Sequence, residues 1–333
     1  MVQLEKKTIQ TKRSFTYTYY VSPKGTSDAS KPALLFIHGF PDSALMWSEV
    51  VDRLADLPYR VVVPDCLGYA GTSKPNDLAA YKWSGQTADL REILQAEDID
   101  KVIPIGHDWG SVLAQRFYQR CPELCAGLVL LNISYRAPTE QKFDLDAFNA
   151  FTAKTFGYPL FQYWYLFSSP DGAKIIDNNL EKFWEVLHGA DNGWMKKMFS
   201  GKDAITNYFS SGETVELKPY AKEGGKWRDD FMQRFSKDGF EAPLNWYKAN
   251  VANVQWEDDL GIPKENHVVK VPFFFLGCTG DSVGRTDLIQ IPRANGLLPD
   301  FDMTEIESGH WCAMEKPGEV AEAIRGFVTK RFP

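Results

Sequence analysis

Short, continuous apolar runs alternate along the chain with segments whose apolar residues recur every three or four positions. "PALLFIHGF" (32–40), "YRVVVPDC" (59–66), "DKVIPIGHD" (100–108) and "AGLVLLNIS" (126–134) are rich in Val, Ile and Leu. Runs of this kind predict strands buried on both faces. Between them, 83–99 and 109–123 carry a helical period, with Ser84 as the expected N-cap and Leu90, Ile93 and Leu94 as the apolar stripe of the first. Strand–helix alternation predicts βαβ units around a mostly parallel sheet with helices on both faces, an α/β fold.

The pattern changes after Ser134. Residues 135–266 are rich in aromatics and in helical periods and show no clear buried strand; 174–187 is amphipathic, and 210–227 reads as loop. Strand-like 268–281 and 300–309 follow, then a last helix over 317–332 with Pro317 in its first turn. The expected organisation is a core made of 1–134 and 267–333, interrupted by a helical cap over 135–266.

Composition narrows the function. Of 333 residues, 44% are hydrophobic, enough for a sizeable core, and the net charge is −7. An acidic chain is a poor partner for nucleic acid or an anionic membrane. No apolar run is long enough to span a bilayer. The N-terminal stretch has charges where a signal peptide needs an apolar segment. Cys66, Cys121, Cys125, Cys278 and Cys312 are scattered, which suits reduced thiols in a cytoplasmic protein. No spacing suggests a metal site, and no cofactor is expected.

The candidate chemistry sits in "KVIPIGHDWGSVLAQRFY" (101–118). Gly106 and Gly110 flank Asp108 at the G-x-x-x-G spacing of a nucleophile elbow, with a carboxylate where such elbows carry Ser. An acid at a helix N-terminus could serve the helix dipole alone, but the paired glycines after a clean apolar run favour the elbow. Ligands of such sheets bind at the carboxyl ends of the strands. His38-Gly39-Phe40-Pro41, Asp108, Asp281 and His310 all fall there, and the order nucleophile, acid, His is complete. Asp281 in "TGDS" is an ordinary turn residue taken alone, with Asp287 nearby. His38 reads as packing, His107 as pointing away from the nucleophile, and His188 and His267 as surface or packing residues.

Carboxylates are ionised at neutral pH, so Asp108 needs no base to attack strained or activated sp³ carbon. Attack leaves an alkyl ester. His310, oriented by Asp281, then activates water against it. The backbone N–H groups of Phe40 and Trp109 are the candidate oxyanion donors.

"HGFPDSALMW", "DCLGYAGTSKP", "IGHDWGS" and "SGHWCAMEKP" resemble segments of the epoxide hydrolases and haloalkane dehalogenases of the α/β-hydrolase superfamily. Together they span most of the core. The soluble epoxide hydrolases are the nearer likeness, because "EAPLNWYKAN" (241–250) is similar to the cap segment carrying one of their catalytic tyrosines, which implies that role for Tyr247. "FGYPLFQYWYLFSSPDG" (156–172) resembles the segment carrying the other and implies Tyr163, with Tyr165 and Tyr158 as neighbours. Neutral phenols can donate to an epoxide oxygen and help protonate the alkoxide. Phe36, Trp109, Phe161, Trp164, Phe167 and Trp311 are the expected apolar walls for a hydrophobic epoxide. The alternatives are a haloalkane dehalogenase, with the Trp109 indole on halide, and a non-catalytic ligand receptor on the same fold.

Overall fold

The computed structural model describes residues 4–25, 27–191 and 193–333; the first three residues of the charged N-terminal stretch lie outside them. The strands are β1 (Glu5–Gln10), β2 (Thr16–Val21), β3 (Ala33–Ile37), β4 (Val61–Pro64), β5 (Val102–His107), β6 (Leu128–Leu131), β7 (Phe273–Cys278) and β8 (Phe301–Ile306). They form one sheet in the order β1-β2-β4-β3-β5-β6-β7-β8. β1, β2 and β4 pair antiparallel; every other pair is parallel.

The helices that matter here are α1 (Trp83–Ala96), α2 (Trp109–Arg120), α3 (Leu145–Phe156), α4 (Leu180–His188), α5 (Lys226–Asp238), α6 (Glu241–Val251), α7 (Val254–Asp259) and α8 (Pro317–Arg331). Neighbouring side chains on a strand point to opposite faces. On β7, Phe274 stacks on Phe327 of α8, while Phe273 meets Tyr135, whose hydroxyl is held by Gln119 of α2. α2 and α8 therefore cover opposite faces, and the α/β-hydrolase arrangement expected from the sequence is present.

Three expectations need correction. β1 and β2 were not expected. β1 is a half-exposed edge strand without an apolar run, and the Tyr/Thr content of "TYTYYV" was the available signal. Ser84 is not the N-cap of α1. It lies one residue inside the helix, and its N–H and Oγ both donate to Asp258 of α7, at 2.8 and 2.5 Å. A carboxylate from another helix thus supplies the cap that local sequence assigned to Ser84. The amphipathic 174–187 segment is two helices, Gly172–Asp177 and α4. Asn179 breaks it: its side-chain amide donates to Ile175 O at 2.8 Å, the local bonding by which Asn ends helices.

Between β6 and β7 the described residues contribute no strand to the sheet. The helices of this stretch meet the loop after β3 through rings: Phe40 touches Phe167, Phe183, Phe240 and Tyr247 at centroid distances of 5.1–6.3 Å. Burying each ring stabilises the contact by about 1.5–3 kcal/mol.

The corner between β5 and α2 is closed by glycine. A Cβ on Gly106 would overlap the Gly110 carbonyl, and one on Gly110 would overlap the Ile37 carbonyl of β3. Gly110→Ala must push α2 off the sheet. Thermal denaturation should show a loss of about 3 kcal/mol, and an unchanged melting temperature would contradict this packing.

Candidate active site

Asp108 occupies the corner between β5 and α2 with φ 53° and ψ −125°. This is a costly conformation for a residue with a Cβ, and the two close-packed glycines enforce it. Ser111 locks the corner from behind, donating to Gly106 O or Leu131 O at 2.7 and 2.8 Å. The strained turn lifts the carboxylate out over the sheet edge, where Oδ1 accepts the Phe40 N–H at 2.9 Å. Gly39 leaves room for this: a Cβ there would sit 2.5 Å from Asp108 Oδ1.

Asp281 follows β7 and His310 follows β8, and the sheet order brings both to Asp108. His310 Nδ1 lies 2.7 Å from Asp281 Oδ2, and its Nε2 lies 3.6 Å from Asp108 Oδ2. Burial works against the imidazolium, but the Asp281 and Asp108 carboxylates outweigh it and hold the His310 pKa well above its ordinary value. Burial likewise opposes ionisation of Asp281. The His310 charge and hydrogen bonds from His310, Asn132 and the Gly284 N–H overcome it and bring the pKa down to about 2. The pair is thus a carboxylate and an imidazolium while Asp108 is charged.

Tyr163 and Tyr247 are both buried, with ring centroids 6.0 Å apart. Tyr247 also packs on Trp109 and Trp164, at 5.2 and 5.3 Å. Burial, and then the charge of Asp108, push the Tyr163 pKa up; burial, Tyr163 and Asp108 do so for Tyr247. Both phenols are therefore neutral donors. Tyr165 points elsewhere: it is exposed and its hydroxyl bonds Asp146. Tyr158 donates to Ser282 O at 2.9 Å.

A cavity of about 430 Å³ reaches Asp108, and its wall includes Trp109, Phe161, Tyr163 and Trp164. Three expected wall residues do not line it. Phe36 points beneath the sheet, where its ring meets Trp47 at 5.1 Å. Phe167 packs behind Tyr247 at 5.0 Å. Trp311 lines, with His310, a second and more polar cavity of about 640 Å³.

The remaining histidines are explained by packing. His38 Nε2 accepts the Cys66 N–H at 2.9 Å, and its Nδ1 then donates to Gly39 O. His188 is not on the surface; it is buried, with its ring tilted against Trp184 and edge-on to Trp311. His267 lies away from the site, its carbonyl accepting the Tyr135 hydroxyl.

Sequence reasoning passed over three residues. His107 does turn from the nucleophile, yet its Nε2 is 2.7 Å from His310 O and anchors the His310 main chain. Burial, then the His310 charge, lower its pKa to about 4, so it stays neutral. Asn132, at φ 65° after β6, donates from Nδ2 to Asp281 at 2.7 Å; its place at the carboxyl end of a core strand was the signal. Asp42, in "HGFPDS", is buried with Oδ2 unpartnered. Burial pushes its pKa to about 7, the Arg234 guanidinium works against this, and the Asp108 charge adds to it.

Elbow, acid and histidine on this sheet define an α/β hydrolase, and the family model described as alpha/beta hydrolase fold matches residues 32–317. The chain belongs to that family. It is 28% identical to Epoxide hydrolase A of Mycobacterium tuberculosis over 90% of each chain. It is 25% identical to Epoxide hydrolase srdG of Neurospora crassa, over 95% of this chain and 93% of that one. Its fold is similar to the crystal structure of Epoxide Hydrolase A from Mycobacterium thermoresistibile, with a TM-score of 0.79 and 24% identity over 98% of both chains.

Proposed function

We propose that the protein is an epoxide hydrolase, adding water to an epoxide to give a vicinal diol. The observation that carries this is a carboxylate nucleophile in one cavity wall with Tyr163, beside Tyr247 and backed by the His310–Asp281 pair. Residues 135–266 act as the cap that supplies the phenols. Asp108 attacks an oxirane carbon; the C–O bond breaks, and Tyr163 and Tyr247 hold and protonate the oxygen. Forming the ester removes the Asp108 charge. That charge had raised both phenol pKa values, so the phenols become stronger acids as the alkoxide needs its proton.

The same loss of charge removes one of the two carboxylates that keep His310 protonated. The imidazolium gives up its proton, which makes good the one the phenols passed to the alkoxide; the neutral His310 then takes a proton from water, whose hydroxyl adds to the ester carbonyl. The Phe40 and Trp109 N–H groups hold the oxyanion; as it collapses the ester C–O bond breaks, the departing diol oxygen takes the proton from His310, and the Asp108 carboxyl returns its own to the imidazole. In heavy-oxygen water, label should appear in Asp108 by peptide mapping after several turnovers; label in the diol alone after a first turnover, with none from the protein, would oppose the ester route.

Tyr163→Phe and Tyr247→Phe should each slow ring opening by roughly 10²-fold, and the double variant should nearly halt it. Burst kinetics read the alkylation step directly. Tyr165→Phe should leave it unchanged.

One feature favours a second reading. Trp164 lines the cavity, and its buried Nε1–H is turned to the Tyr163 side chain without a hydrogen bond of normal geometry, which leaves it open to a halide. Halide release from 1-bromobutane without diol formation from styrene oxide would select a haloalkane dehalogenase. No helix among the described residues is long and apolar enough to cross a membrane, and all five cysteines are free and buried. Both facts support a cytoplasmic enzyme.

A further inference from the structure

Cys278 and Cys312 take no part in the chemistry proposed above, yet both thiols point at the groups that hold the base. Cys278 ends β7, and Cys312 opens the short helix Cys312–Glu315 that follows His310 and Trp311. Both are free and fully buried. Their sulfurs lie 3.6 and 3.4 Å from a single atom, Asn132 Oδ1. The other end of that amide, Nδ2, donates to Asp281 Oδ2 at 2.7 Å, the same oxygen that lies 2.7 Å from His310 Nδ1. Thiol pair, amide, carboxylate and imidazole thus form one buried chain.

The chain has a fixed direction. An ionised Asp281 only accepts, so it takes the NH2 end of Asn132 and leaves the carbonyl end to the sulfurs. The bond with Cys312, and then burial, hold the Cys278 thiol far above its ordinary pKa, so it keeps its proton. Either both S–H groups go to Oδ1, or one goes to the other sulfur and the second to Oδ1. In each case the buried amide oxygen is satisfied, and removing both sulfurs would strip it of these donors. Hydrogen bonds in series polarise one another, so donation to Oδ1 strengthens the bond from Nδ2 to Asp281. Asp281 Oδ2 divides its charge between that N–H and His310. The firmer the first bond, the less charge remains to hold the imidazolium.

We propose that Cys278 and Cys312 are positioning residues for the base: by holding Asn132 Oδ1 they keep its amide on Asp281 and limit the grip of that carboxylate on a protonated His310. Once the ester forms, His310 must give up its proton, and this restraint favours the neutral imidazole. The role in turnover rests on the epoxide hydrolase reading, but the restraint on His310 does not.

The other titratable groups around His310 are Asp108 at the corner, His107 of β5, Asp42 after β3, His188 of α4, and Glu315, which accepts the Gly309 N–H and pairs with Lys218 at 2.6 Å. The test keeps these constant. In a chain carrying Asp108→Ala, which removes the same charge as the ester, His310 is titrated by NMR with labelled histidine, its signal assigned by its loss in His310→Gln. Adding Cys278→Ala and Cys312→Ala should raise the midpoint by roughly 0.5 in pH. Cys278→Ser with Cys312→Ser keeps a donor at each place and should leave the midpoint within about 0.2. Asn132→Ala should raise it by about 1. In the active chain, the alanine pair should slow adduct hydrolysis about threefold at pH values below the midpoint and leave burst alkylation within about twofold. If the alanine pair fails to fold, Cys312→Ala alone should move the midpoint in the same direction. The inference is overturned if the alanine variants leave the titration unchanged, or if the serine pair moves it as far as the alanine pair. The expected shift without turnover of any epoxide would sustain the restraint and count against the epoxide reading.

Discussion

Asp108→Ala should lower diol formation by about 10⁴-fold or more, the scale of losing a covalent nucleophile. The carboxylate of Asp108 is assigned to open the oxirane, and among the described residues the other two carboxylates of its cavity wall are occupied: Asp259 is tied to Arg116, and Asp144 caps α3. The fold should survive. Ala at φ 53° is strained much as Asp is, and the glycine contacts that shape the corner remain. Circular dichroism and melting temperature check the fold, and product analysis checks the rate. Residual turnover above about 1% of wild type, with the fold intact, would remove Asp108 from the role of nucleophile.

His310→Gln should separate the two half-reactions. Alkylation depends on the carboxylate and the phenols, so one equivalent of epoxide should still be consumed. Ester hydrolysis needs the base, so steady-state turnover should fall by roughly 10³-fold or more. Mass spectrometry should find the substrate mass on the peptide containing Asp108. Turnover lost with no adduct would mean that alkylation itself requires the imidazole.

Acid should reproduce this result in the wild-type protein. The free enzyme has His310 protonated, because Asp281 and Asp108 raise its pKa against burial. In the ester the Asp108 charge is gone and burial still disfavours the imidazolium, so the pKa falls. As pH drops through that lower value the imidazole regains its proton, hydrolysis slows and adduct accumulates. As pH rises above it, kcat levels off. Quenched-flow sampling across pH reads the adduct directly, and an adduct level rising with pH would contradict the assignment of His310 as base.

The periodicity of the chain carried most of the core. β3 to β7 lie inside the apolar runs and β8 inside the strand-like 300–309, α1, α2 and α8 lie inside the helical ones, and the Gly106/Gly110 spacing pointed to Asp108. These features are local: a buried strand, an amphipathic helix and a tight corner each leave a pattern within about ten residues. The N-terminal hairpin left no such pattern, since an edge strand needs no continuous apolar run.

What local pattern could not supply is which distant side chains meet. Asp281 comes to His310 only because β7 and β8 are neighbours at one end of the sheet. Tyr163 rather than Tyr165 turns inward because the turn Trp164–Phe167 sets Tyr165 outward toward Asp146. Phe36 and Trp311, both aromatic and both near a motif, were excluded from the cavity by the direction their backbone gives them. The sequence by itself determined the core elements from β3 to β8 and the reacting group. Tertiary structure alone decided the cavity wall and the anchoring of the base through His107 and Asn132. Strand order and side-chain direction arise from contacts far apart in the chain, and those carry no local signature.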